Sequence, residues 1–263
     1  MNDFTNFSVA SFSFHGLLKM KAIDLFGYLE SAKYRYGLQT ADIWNGMIAN
    51  YETDYTDFLK RALDERGLTV VNLCCDWAHV WDNDEAVRAK NEEMAWKCIA
   101  LGEKLGAKTI RIDAGFREET LSDEQVEYVS KKYREYCRRA AEFGAKLGTE
   151  NHWGATRNPK NVQTLFDAVN EANFGLLLHL GNWDSGDKDL NDLAFIKKAM
   201  HIHIDFEHCA EAERVLPPLV SGGYSGCWAI ESHKATNEYN NVALQLAQVT
   251  RVICPLQYNL APK

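Results

Sequence analysis

No Cys-x-x-Cys pair occurs in these 263 residues. The seven cysteines, Cys74, Cys75, Cys98, Cys137, Cys209, Cys227 and Cys254, are odd in number. A disulfide framework or a thiolate zinc site is therefore not expected. No apolar run approaches the roughly 20 residues that span a bilayer. The opening Met1-Asn2-Asp3-Phe4 lacks the basic stretch of a signal peptide. Cytoplasmic residence without a membrane partner is the expectation. No Pro/Ser-rich linker divides the chain, which is read as one domain over 1–263 with a short tail from about 255. Positive charge is in deficit as well. A formal net charge of −8 repels phosphate backbones. The densest basic run, Lys131-Lys132-Tyr133-Arg134 to Arg138-Arg139, is interleaved with Glu127, Glu135 and Glu142, as on the solvated face of a helix. Nucleic acid is not an expected partner.

What is present is an alternation. Eight short runs rich in Val, Ile, Leu, Thr and aromatics read as strands, at 7–12, 38–44, 68–76, 107–115, 146–152, 174–180, 201–206 and 227–232. Helical patterns lie between them, at 55–65, 84–105, 123–147, 161–170, 189–198, 210–220 and 239–254. Ser122-Asp123-Glu124-Gln125 resembles a capping box, and Asn158-Pro159 suits a helix start. Several helices end in a glycine turn, such as Arg66-Gly67-Leu68 and Leu105-Gly106-Ala107. Repeated strand, helix and turn is the βαβ signature, and eight units close into a single (β/α)₈ barrel. A doubly wound sheet would usually carry a Gly-rich phosphate turn after its first strand. Ser11-Phe12-Ser13-Phe14-His15-Gly16 is not one.

Barrel chemistry sits at the C-terminal ends of strands. There the fifth run offers Glu150-Asn151-His152, the sixth His179-Leu180-Gly181-Asn182, the seventh His201-Ile202-His203 and the eighth Glu231-Ser232-His233. Four successive strands thus bring a carboxylate or imidazole to one end, donors that suit Mn²⁺, Mg²⁺, Zn²⁺ or Co²⁺. Each has a plainer reading. Glu150 could pair with Arg111, and His179 could be a core histidine. His201 and His203 share a strand face, so only one need be a ligand. Cys74-Cys75 reads as core, with one of the pair facing out of the barrel. Ser221-Gly222-Gly223-Tyr224-Ser225-Gly226 precedes the eighth strand and reads as a turn at the opposite face. His15, Trp77, His79 and Trp81 could line a sugar pocket or simply pack a loop.

Glu150-Asn151-His152-Trp153-Gly154, Gly181-Asn182, His203, Gly223-Tyr224-Ser225-Gly226 and Ile230-Glu231 together resemble the sugar phosphate isomerase/epimerase superfamily, the xylose isomerase-like barrels. The resemblance spans almost the whole chain. It implies one divalent metal, held by Glu150, His179, His203 and Glu231. The family's usual Asp is His179 here, which biases the set toward Zn²⁺ or another imidazole-friendly ion. The family's Lys-Asp after the histidine is Ile204-Asp205. The implied chemistry is Lewis-acid activation of a carbonyl. Glu150 or Glu231 would remove the adjacent proton, and His152 would be a second acid/base. Arg111, Asn182, His15 and Trp77 are the candidate substrate contacts. The expected partner is a small sugar or sugar derivative, with a homo-oligomer as a further possibility. Three functions compete: a sugar isomerase or epimerase; a lyase or dehydratase on keto-inositols or 3-oxo-glycosides; and a non-catalytic sugar-binding or partner subunit. A DNA-repair endonuclease would need more metal ligands than these and a less acidic surface.

Overall fold

A computed structural model describes residues 6–260 of the chain. Eight parallel strands run in the order β1-β8-β7-β6-β5-β4-β3-β2. They are β1 (Phe7–Val9), β2 (Thr40–Trp44), β3 (Thr69–Cys75), β4 (Thr109–Ile112), β5 (Lys146–Glu150), β6 (Phe174–His179), β7 (Ala199–Ile204) and β8 (Trp228–Ile230). A helix of the outer layer follows each: α1 (Leu25–Glu30), α2 (Thr53–Arg66), α3 (Glu85–Leu105), α4 (Asp123–Ala141), α5 (Pro159–Val169), α6 (Lys188–Phe195), α7 (Ala212–Ser221) and α8 (Glu238–Leu260). This is the (β/α)₈ barrel expected from the sequence.

The caps follow the local chemistry. At α4, Ser122 Oγ accepts from the Gln125 N–H at 3.2 Å while the Gln125 side chain accepts from Ser122 N–H at 2.8 Å, a reciprocal capping box. At α5, Asn158 caps and Pro159 takes the first helical position, where its missing N–H costs nothing.

The seam between β1 and β2 is joined mostly by side chains. Its backbone contribution is one bridge, between Ala10 and Asp42. The Thr40 hydroxyl donates to the Phe7 carbonyl. Tyr28 of α1 is wholly buried. Its hydroxyl donates to the Val9 carbonyl at 2.7 Å and accepts the Asp42 N–H at 2.9 Å, splicing the two strands where they diverge.

Three expectations are corrected. α1 and the π-helical turn that continues it, Ser31–Arg35, were not read from the sequence. α4 stops at Ala141 rather than 147, because β5 already begins at Lys146. The stretch from 255 is no tail as far as it is described: α8 continues through Pro255 to Leu260. Pro255 and Arg251, four residues earlier, are both exposed. A carbonyl freed by the missing N–H there can turn to water. Residues 261–263 lie outside the described residues. No helix among the described residues is long and apolar enough to cross a membrane.

Candidate metal and acid–base site

The strand ends converge as the barrel geometry requires. Glu150, His179, His203 and Glu231 each point one donor atom inward, and the four atoms lie within 4.8 Å of one another. His179 Nδ1 is 3.2 Å from Glu150 Oε1 and 3.4 Å from Glu231 Oε2, and His203 Nδ1 is 3.2 Å from Glu231 Oε2. Asn151 ties two of these ends together. Its amide donates to the His179 carbonyl at 2.8 Å and its oxygen accepts the His179 N–H at 2.7 Å.

Asp42 was not among the sequence candidates, yet it organises the cluster from below. It comes from β2 and is fully buried inside the barrel. Its Oδ2 accepts from His201 Nε2 at 2.7 Å and from His203 Nε2 at 2.9 Å, while Oδ1 accepts from Asn72 Nδ2 at 2.8 Å. Burial pushes its carboxyl up, but the two imidazoles outweigh that and hold it well below the usual carboxylate range. An ionised carboxylate only accepts, so Nε2 of His203 carries a proton, and Nδ1 is the ring atom that faces the donor cluster. That Nδ1 is buried and makes no hydrogen bond of adequate geometry. A polar atom orphaned in this way fits a metal ligand, and carboxylate–histidine–metal chains are the standard means of setting such a ligand. Two other donor groups fit less well. Asp42, Cys74 and His203 would require the proton on Nε2 to leave. In the group of Asp113, Glu150 and His152, the two carboxylates are already bridged by the Arg111 cation.

Beside the cluster lies a charged network. Arg111 Nη1 is 2.9 Å from both Asp76 Oδ1 and Asp113 Oδ2, and Nε is 3.1 Å from Glu150 Oε2. Both plain alternatives for Glu150 and for a metal therefore hold at once: it pairs with Arg111 through one oxygen and faces the cluster with the other. Burial raises its carboxyl, and His152 and Arg111 bring it down to about 2. His152 Nδ1 rests on Asp113 Oδ2 at 2.9 Å. Burial lowers this imidazole, but Glu150 and Asp113 raise it to about 9. The loop carrying His152 is held close by Gly154, whose φ is +54° and whose place would put a Cβ 1.7 Å from the Phe116 carbonyl oxygen.

Above the cluster is a cavity of about 430 Å³, including its open mouth. Arg111, Glu150, His152 and Glu231 line it, as do Phe12, Trp44, Asp76 and His233, which were not predicted. His15, Trp77 and Asn182 do not line it. His15 stacks on the outer side of Phe12 at 4.6 Å, and its Nδ1 is 2.9 Å from the Phe12 carbonyl. Asn182 clamps a loop, donating to the carbonyls of Asn151 at 2.7 Å and His152 at 2.9 Å. Trp77 is 59% exposed at the rim. The signal for Trp44, Asp76 and Asp113 was available: each ends a strand or directly follows one.

The fold is that of a single (β/α)₈ barrel with candidate donors at its C-terminal strand ends. Residues 32–218 match the family described as xylose isomerase-like TIM barrel, and the chain belongs to that family. Solved structures agree in fold. The 3-keto-D-glucoside 4-epimerase YcjR from E. coli is 15% identical, with 94% of this chain and 99% of that one covered and a TM-score of 0.74. The IOLI protein with a binding zinc atom is 15% identical over 94% and 99%, with a TM-score of 0.72. The probable 3-DHS dehydratase AsbF from Bacillus anthracis is 15% identical over 94% and 98%, with a TM-score of 0.68. No curated protein matches the chain in sequence.

Proposed function

We propose that the protein is a divalent-metal-dependent sugar isomerase or epimerase that moves a proton on the carbon next to a carbonyl. The observation carrying this reading is the four-donor cluster, into which His203 points a buried Nδ1 while Asp42 holds its Nε2 from behind. Glu150, His179, His203 and Glu231 would hold the ion, and the zinc-bound neighbour of the same fold supports that assignment. A bound divalent ion would draw electron density from a substrate carbonyl and its neighbouring hydroxyl.

The chain's own groups do the rest. Glu150 and Glu231 come from opposite ends of the β5–β8 arc, so they approach a substrate from different sides. Glu150 is kept ionised by Arg111 and is the base in this reading. Glu231, within 3.1 Å of His233 Nε2, returns the proton. His152, oriented by Asp113, holds or protonates a substrate hydroxyl. The Asp113–His152 pair is also the feature that favours the second reading, a lyase, because elimination needs an acid at the departing oxygen.

The test is metal content by elemental analysis of the wild type and of Glu231→Gln, with solvent-deuterium exchange into keto-sugars. About one ion per chain, diminished in the variant, together with metal-dependent exchange supports an enzyme. Exchange accompanied by loss of water or of an aglycone selects the lyase. Sugar binding with neither metal nor exchange leaves the non-catalytic subunit.

A further inference from the structure

We propose that the rim tryptophan, Trp77, is an outer subsite for a second ring, so that the substrate is an uncharged glycoside rather than a free or phosphorylated sugar. This rests on the sugar-site reading above and names the class of molecule the site takes.

Three observations carry it. First, Trp77 is 59% exposed yet has a φ of +57°, a conformation that bulky side chains rarely adopt. Its ring meets Trp44 on one side, and backbone strain of this kind tends to persist where function uses it. Second, its ring continues an aromatic wall that begins inside the cavity. Phe12 meets Trp44 edge-on at 5.1 Å, and Trp77 lies 6.3 Å beyond Trp44, tilted by 35°. Trp44 is locked in place, since its Nε1 donates to Asp76 Oδ2 at 2.7 Å and its backbone N–H to Ser11 Oγ at 2.8 Å. The wall therefore offers one face to a ring seated over the donor cluster and a further face to whatever that ring carries outward. Aromatic faces suit the C–H faces of sugars and flat aglycones alike.

Third, acidic groups outnumber basic ones in the cavity lining: Asp42, Asp76, Glu150 and Glu231 against Arg111, His152 and His233. Arg111 is engaged by Asp76, Asp113 and Glu150; His152 rests on Asp113; His233 lies 3.1 Å from Glu231 Oε2. A phosphate carried by the outward ring, clear of the ion proposed for the strand ends, would face this surplus of carboxylates, and burying it against them would be costly.

The experiment is affinity measurement by NMR titration on the zinc-loaded protein, using glucose, phenyl β-D-glucopyranoside and glucose 6-phosphate as probes. The expected order is phenyl glucoside tightest, by up to roughly tenfold over glucose, with glucose 6-phosphate no tighter than glucose. Trp77→Ala, at an exposed position, should erase the advantage of the phenyl glucoside and leave glucose unchanged. Equal losses for both sugars, no preference in the wild type, no binding of either, or tightest binding of the phosphate each overturn the proposal. Binding is read without turnover. A selective rim with no deuterium exchange therefore sinks the enzyme reading alone, and exchange with no rim selectivity sinks this one alone.

Discussion

Asp42 concentrates the most consequence in one residue. It holds two imidazoles by a single oxygen and receives Asn72 on the other. Asp42→Asn would place an amide opposite one imidazole and release the tautomer of His203. Metal affinity should then fall by about 10- to 100-fold, as is usual when such a supporting carboxylate is removed. Competition with a chelating dye measures this directly, and an unchanged affinity would show that His203 is not held through Asp42. The four donors themselves were legible, because a charged or imidazole group that closes an apolar strand is conspicuous. Asp42 was not. Ala41-Asp42-Ile43 reads as an ordinary strand segment, and nothing in it announces the register shift between Ala41 and Asp42 or the meeting of Asp42 with β7 across the interior. The rim was missed for a related reason: Trp44 and Asp76 act through the ring and the guanidinium they hold, and neither has a motif.

At the level of elements, the eight strands were evident from composition, while α1 was hidden. It is short, continues as a π-helical turn and carries its effect in one hydroxyl. Tyr28→Phe removes the group that serves both Val9 and Asp42, leaving a carbonyl and an N–H without partners in the core. At about 1–3 kcal/mol for each of the two orphaned groups, a loss of about 2–6 kcal/mol in urea unfolding is expected. A second test lies between β6 and α6. Asp192 accepts the Gly181 N–H at 2.9 Å and Trp183 Nε1 at 2.7 Å, and burial, only partly offset by these bonds, raises its carboxyl to about 6. The folded value lies above the unfolded value of about 3.9, so its contribution to stability is present at low pH and is lost as pH rises through 6. Between pH 5 and 8 that loss is about 1.4 kcal/mol. Asp192→Asn should therefore be less damaging at pH 8 than at pH 5 by this amount, and equal damage at both would refute the assignment.

For the whole molecule, a metal held by β5 to β8 binds only the folded state. At a hundredfold over its dissociation constant it adds about 2.7 kcal/mol. For a chain of this size that corresponds to a rise of roughly 5–10 °C in Tm, reversed by a chelator. Glu231→Gln should show a smaller rise under the same conditions. The polar line that sets this site runs right through the barrel: Thr109 Oγ1 donates to Asn72 Oδ1 at 2.8 Å, Asn72 to Asp42, and Asp42 receives His201 and His203. Anyone repurposing this barrel as a scaffold inherits that line as one indivisible part. Swapping a single member for an aliphatic side chain strands its neighbours, so the sequence can drift or be redesigned there only by exchanging all five positions in a single step.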